Sequence, residues 1–256
     1  MLALKLILVP ALIGAVSLAG RKWGPAVSGW LAGFPFTSGP VVLILALEQG
    51  GAFASRAAQG TLMGLVSVAA FCLAYAWLSR RLGWIGSMLG GWGLFLISTA
   101  ILDQMDPAPL VPAFVAVVIA LVLSYNSLPV LGAMEMPSSL PRWDIPLRMI
   151  AATALVVGIT ESAARLGPQL SGLLTPFPIY ATVMAVFTHA LQGPEAATRV
   201  LRGVILGLFT FAGFFFMVAG RVEVWGLAAT FGLAVAAALG IHAGALWFIR
   251  TRIDTR

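Results

Sequence analysis

Several stretches of this chain run for about 20 residues without a charge, 57–79 and 82–102 among them, and no other feature narrows the fold as much. A hydrocarbon layer about 30 Å thick is crossed by about 20 apolar residues of helix, so such runs read as membrane spans. Composition agrees. With 60% hydrophobic and 9% charged residues and a mean hydropathy of +1.00, the chain cannot surround itself with a polar surface. Lipid offers the backbone no hydrogen bonds, so spans of this kind are helices, and the expected class is an all-α integral membrane protein.

Nine spans are expected, at 2–20, 37–55, 57–79, 82–102, 108–126, 146–164, 176–192, 196–219 and 223–249. Two further apolar stretches, 23–35 and 166–178, carry Gly and Pro and reach only about 20 Å as helix, so they read as re-entrant half-helices. The first span resembles a signal peptide in ending on "VSLAG", but Arg21 and Lys22 follow the apolar run instead of preceding it. Cys72 is the single cysteine and sits in an apolar run, which predicts packing.

An internal repeat sets the architecture. Placing residue n against n+143 aligns Gly24–Ala76 with Gly167–Ala219 without a gap, and 17 of the 53 positions are identical. Among them are Gly24/Gly167, Pro25/Pro168, Ser28/Ser171, Phe34/Phe177, Pro35/Pro178, Gln49/Gln192 and Gly50/Gly193. Four spans make a unit and 108–126 is left between the two, so five crossings separate equivalent residues. An odd number inverts the second unit relative to the first, a plan many secondary transporters use. The expected organisation is therefore repeat one at 1–106, a central helix and connector at 107–145, and repeat two at 146–256.

Basic residues favour the inverted plan. With the N-terminus outside and the C-terminus in the cytoplasm, 11 of the 15 Lys and Arg residues fall inside and 4 outside; full crossings by the two half-helices would make it 9 and 6. The net charge of +6 is thus accounted for by topology, and because the basic residues are spread through short loops no nucleic-acid partner is expected.

The matched breaks locate the expected site. Irregular backbone at membrane depth is tolerated where protein or water satisfies it, so Pro35 and Pro178 are expected to lie at the repeat interface. Around them Ser28, Phe34, Thr37, Ser38 and Gln49 in one repeat, and Ser171, Phe177, Tyr180, Thr182 and Gln192 in the other, are the expected substrate contacts. Glu48 and His189, each near one break, are the expected proton-coupling groups. Gly60-x-x-x-Gly64 and Gly203-x-x-x-Gly207 read as helix-packing pairs. Glu161 with Arg165 reads as a helix-end ion pair, His242 as a packing residue, and Asp103-x-x-Asp106 as an acidic pair without the second acidic motif that metal chemistry would need.

The chain contains no phosphate-binding loop, H-E-x-x-H, G-x-S-x-G or Cys/His cluster, so neither nucleotide-driven transport nor hydrolysis is expected, and no cofactor or metal. The "GPxxSGxLxxFP" pattern followed by "QG" resembles that of small bacterial inner-membrane proteins, some a single repeat long; the resemblance brings no activity with it. The expectation is a secondary transporter or flippase for a small or amphiphilic solute, not an enzyme. Its partners would be the lipid bilayer, a small or lipid-like substrate and, optionally, a second copy in a homodimer. An intramembrane enzyme of lipid metabolism and a structural subunit of a membrane complex are the alternatives.

Overall fold

The computed structural model describes the backbone of all residues except 1, 37, 106–107, 131, 133–139, 175–176 and 254–256; side chains 2–6, 45, 160–174 and 248–253 also fall outside the description. The chain is all-helical, 88% helix with no strand among the described residues. Its elements are α1 (Leu2–Trp23), α2 (Pro25–Ala32), α3 (Ser38–Gln49), α4 (Gly51–Leu78), α5 (Trp84–Asp103), α6 (Leu110–Ser127), α7 (Asp144–Leu174) and α8 (Ile179–Ile253). Among the described residues, four helical stretches are long and apolar enough to cross a bilayer: Gly51–Leu78, Trp84–Asp103, Leu110–Ser127 and Ile179–Trp247. The protein is membrane-embedded. Large lipid-soluble side chains such as Leu94, Leu123, Leu239 and Trp247 stand exposed along these helices, as a bilayer, not water, would require.

Four glycines make the corners. Gly24 (φ 93, ψ 166), Gly50 (φ 85, ψ 168), Gly193 (φ 86, ψ 176) and Gly226 (φ 74, ψ 173) occupy a backbone region that is essentially closed to residues with a Cβ. Each acts twice. The Gly50 N–H closes α3 on the Ala46 oxygen (3.1 Å), and its own oxygen accepts from Ala54 N in α4 (3.2 Å). One helix passes into the next with no loop residue, which avoids stranding polar backbone in lipid. At Gly24 and Gly193 a proline follows at the first helical position, where its missing N–H costs nothing.

Gly193 and Gly226 divide α8 into three arms, 179–192, 194–225 and 227–253. The corners revise the span limits. Hydropathy put the boundary after 55 because Arg56 interrupts the apolar run, yet α3 ends at Gln49 and α4 begins at Gly51. Of the later boundaries, Gly193 falls within the expected gap at 193–195, whereas Gly226 lies beyond the expected 220–222. The break expected between 164 and 166 is absent: α7 runs on as helix to Leu174.

The core lies where α4, α5, α6 and the arms of α8 meet, around Phe71, Tyr75, Phe95, Leu121, Leu201, Ile205 and Phe215, all fully buried. The tightest crossing is between α2 and the second arm of α8. A Cβ on Gly29 would strike the Val200 carbonyl, one on Gly203 the Ala26 carbonyl, and one on Gly207 would lie 2.6 Å from the Gly33 Cα. Glycine on both helices lets backbone touch backbone. The packing expected of Gly203 and Gly207 is met; Gly60, by contrast, faces open space.

The connector is clamped at one end of the bundle. Arg199 donates to the Gly132 oxygen (2.8 Å), Glu195 accepts from Gly132 N (2.9 Å), Arg202 donates to the Pro129 oxygen (3.2 Å) and Arg21 to the Pro141 oxygen (2.8 Å).

Candidate functional site

At that same end the last turns of α1, the first turn of α2, the first turn of α7 and the end of the first α8 arm converge on a small cavity of about 20 Å³ with both polar and apolar walls. Asp144 and Arg148, one turn apart at the start of α7, are its charged floor, 1% and 3% exposed. The Arg148 Nε donates to the Asp144 Oδ1 at 2.6 Å, and Arg21 from α1 reaches the Oδ2 at 3.3 Å. The carboxylate is thus held through both oxygens. Burying a lone ion costs several kcal/mol, roughly the penalty that this pairing offsets.

The guanidinium of Arg148 is less well served on its other side. Its Nη1 faces the Thr188 Oγ1 at 3.4 Å and the Met184 Sδ at 3.7 Å, and its plane lies over the Phe187 ring, 5.4 Å from the centroid. Ser17 donates to the same Met184 sulfur at 3.7 Å. Ser28, whose hydroxyl donates to the Pro25 oxygen (2.8 Å), and Gln192 complete the polar lining. Two guanidiniums against one carboxylate leave the cluster with an excess positive charge.

Of the contacts expected from sequence, Ser28 and Gln192 line this cavity. The other described ones are elsewhere. Phe34 packs edge-on against His242 in the third α8 arm (5.0 Å between centroids), and its equivalent Phe177 packs edge-on against Trp92 and Phe95 of α5 (5.2 and 5.4 Å). The segment at Phe34 is therefore seated on the third arm of α8, and the segment at Phe177 on α5. Pro35 and Pro178 are buried, Ser38 and Tyr180 half-buried, and Thr182 is buried and accepts from Trp92 Nε1 at 3.1 Å. Thr37 and the side chain of Ser171 lie outside the described residues.

The two coupling candidates differ in burial. Glu48 and Gln49 stand exposed at the end of α3, so Glu48 is not the buried carboxylate near a break that was expected; among the described residues Asp144 is the carboxylate that is buried. His189 is buried, 3.3 Å from the Tyr75 hydroxyl. His242 holds the Thr210 Oγ1 at 3.0 Å through Nδ1 and lies against α2, with its Nε2 buried and unpaired. Asp103 closes α5, and Asp106 lies outside the described residues, as do the side chains of Glu161 and Arg165.

Sequence reasoning missed Asp144, Arg148, Ser17 and Thr188. It read the first two as connector and topology charges. A signal was available: Asp144 and Arg148 are spaced i,i+4 at the threshold of an apolar run, and the 143-residue offset sets Arg148 against another basic residue, Lys5.

No known protein family, curated protein or solved structure matches the chain. The fold and the cavity define it as a multi-pass helical membrane protein with a charged, buried polar site at one end of its helices.

Proposed function

We propose that the protein is a secondary transporter or flippase of the bacterial inner membrane, built from two inverted-topology repeats and moving a small or amphiphilic solute. The observation that carries this is the cavity's composition: α1 and α2 of the first half and α7 and α8 of the second each supply polar or charged side chains to it. A buried charge cluster at the seam between two halves is costly unless it is used.

The plan of nine spans draws support from the corners. Counting α8 as three arms, the spans are α1, α3, α4, α5, α6, α7 and those arms, with α2 as the re-entrant piece of the first half. Shifted by 143, the starts of α4 and α5 at Gly51 and Trp84 fall on Pro194 and Leu227, the first residues of the second and third arms. Gly50 and Gly193 carry nearly the same backbone angles. Five spans then separate equivalent residues, and the clamped connector gathers Arg21, Arg199 and Arg202 on one face, as a cytoplasmic C-terminus requires.

Two measurements test the reading. Cysteine labelling should find Arg56→Cys reachable from outside and Arg199→Cys from the cytoplasm; labelling from the same side would remove the inverted plan. Proteoliposomes carrying the chain should move a headgroup-labelled lipid, or release a trapped solute, faster than protein-free vesicles. Folded protein in sealed vesicles that moves neither would end the transport reading.

A further inference from the structure

Between Arg148 and Met184 the cavity has more donors than acceptors, and the missing acceptor identifies the ligand. Both oxygens of Asp144 are already engaged by Arg148 and Arg21. The Nη1 of Arg148 is left with a hydroxyl at 3.4 Å and a thioether at 3.7 Å, and the Ser17 hydroxyl turns to that same sulfur. Sulfur is a weak acceptor, and two donors sharing one is a poor end state for a guanidinium that is 3% exposed. A cation finds no free carboxylate oxygen here, and the local charge balance of two arginines to one aspartate repels it.

We propose that this cavity receives one anionic oxygen of a carboxylate or phosphate group, held by Arg148 and Arg21 with Ser17 and Thr188 as hydroxyl partners. The inference deepens the transport reading and rests on it for the claim that the bound group belongs to the substrate. Size limits the fit. About 20 Å³ admits roughly one water-sized group, so the tip of the anion enters and the rest of the molecule stays outside. Position narrows it further. Arg148 lies four residues into α7, about 6 Å along the axis, which is near the helix ends and at the depth of lipid phosphates rather than at the bilayer centre. The same chemistry serves a lipid headgroup arriving from the leaflet and a free anion arriving from the cytoplasm.

The test uses the full chain, purified in a neutral detergent and checked for helicity and a single size-exclusion peak. Thermal unfolding midpoints are recorded against inorganic phosphate and against acetate at matched ionic strength, and in nanodiscs of phosphatidylcholine with and without phosphatidylglycerol. A midpoint that rises with either small anion identifies a free-anion source. A rise confined to phosphatidylglycerol nanodiscs identifies a lipid headgroup. In either case Arg21→Gln, at a side chain 29% exposed and so tolerant of change, should weaken the apparent affinity by about tenfold, the range of one charge-assisted hydrogen bond. Arg148→Gln should do the same if it folds, and Asp144→Asn, which adds to the positive excess, should strengthen it. No rise with any anion overturns the proposal, as does a rise that Arg21→Gln leaves unchanged, since that would show occupancy by water and general salt stabilisation only. The two readings fail separately. Arg21-dependent anion binding without movement of lipid or solute in proteoliposomes ends the transport reading and keeps the site; transport that is indifferent to anions and to Arg21→Gln ends the site and keeps the transporter.

Discussion

Trp30 lies flat on His242, with ring centroids 3.8 Å apart and planes 12° from parallel, and its indole N–H donates to the His242 backbone oxygen at 3.2 Å. One residue of the short helix α2 is thereby fastened twice to the third arm of α8. A stacked pair adds about 0.5–1.5 kcal/mol to the area it buries. Trp30→Ala removes the stack, the hydrogen bond and the volume together, so its melting temperature should fall as for a loss of about 3–5 kcal/mol. Trp30→Phe keeps most of the stack and should lose about a third of that, a difference readable by differential scanning fluorimetry.

His242 itself separates packing from chemistry. Its Nε2 is buried and unpaired, and its Nδ1 is matched only by Thr210. His242→Phe fills the same space against Trp30 and Phe34 and removes one unpaired nitrogen, while leaving the Thr210 hydroxyl to its own helix. Its melting temperature should match the parent within the equivalent of about 1 kcal/mol. His242→Ala should melt well below it. If His242→Phe is as stable as the parent yet inactive in proteoliposomes, the imidazole serves transport and not packing.

The glycine crossing makes a sharper contrast. Gly29→Ala and Gly203→Ala each push a methyl group into a facing carbonyl oxygen, and the backbones must separate. Gly60→Ala meets open space and removes the helix penalty of glycine, about 0.5–1 kcal/mol. The first two variants should lose about 1–3 kcal/mol or more of stability, and the third should be neutral or gain. Equal melting temperatures for all three would show that α2 does not pack as described.

How far the sequence reaches is clearest at these glycines and least clear at the site. Long uncharged runs are a global pattern, and they anticipated the helices; the 143-residue offset, also global, sets Phe34 against Phe177. A corner depends on one residue's φ, which hydropathy averages away. That is why Gly50 was passed over for Arg56. Burial of a charge is likewise a tertiary fact: Asp144 and Arg148 look like connector residues until Arg21 and Met184 are folded against them, whereas Glu48, set in an apolar run, ends exposed.

The corner glycines should be sensitive in proportion to their backbone angles. Gly50→Ala and Gly193→Ala place a Cβ at φ 85 and φ 86, in a region costing about 1–3 kcal/mol for residues other than glycine. Gly83, the equivalent of Gly226, caps α5 at φ −65. Any residue adopts that angle, so Gly83→Ala should leave the melting temperature within about 1 °C of the parent while the other two fall by several degrees.

The Asp144–Arg148 pair allows a double-mutant cycle whose sign distinguishes a structural ion pair from a retained functional one. Removing one partner strands a charge that is almost fully buried, so Asp144→Leu and Arg148→Met should each lose about 3–5 kcal/mol, moderated for Asp144→Leu by nothing but the Arg21 side chain turning to solvent. The double variant removes the two almost fully buried ions, replaces them by groups of similar bulk and leaves only Arg21, whose side chain is 29% exposed and can turn to solvent, so it should recover most of the loss and can exceed the parent in stability. A cluster kept for stability would not be improved upon in this way. Recovery of the melting temperature with no recovery of anion binding or of transport would show that the pair is maintained for its charge. Failure of the double variant to recover, with both singles stable, would instead make Asp144 and Arg148 independent surface-like charges and remove the basis for a buried site.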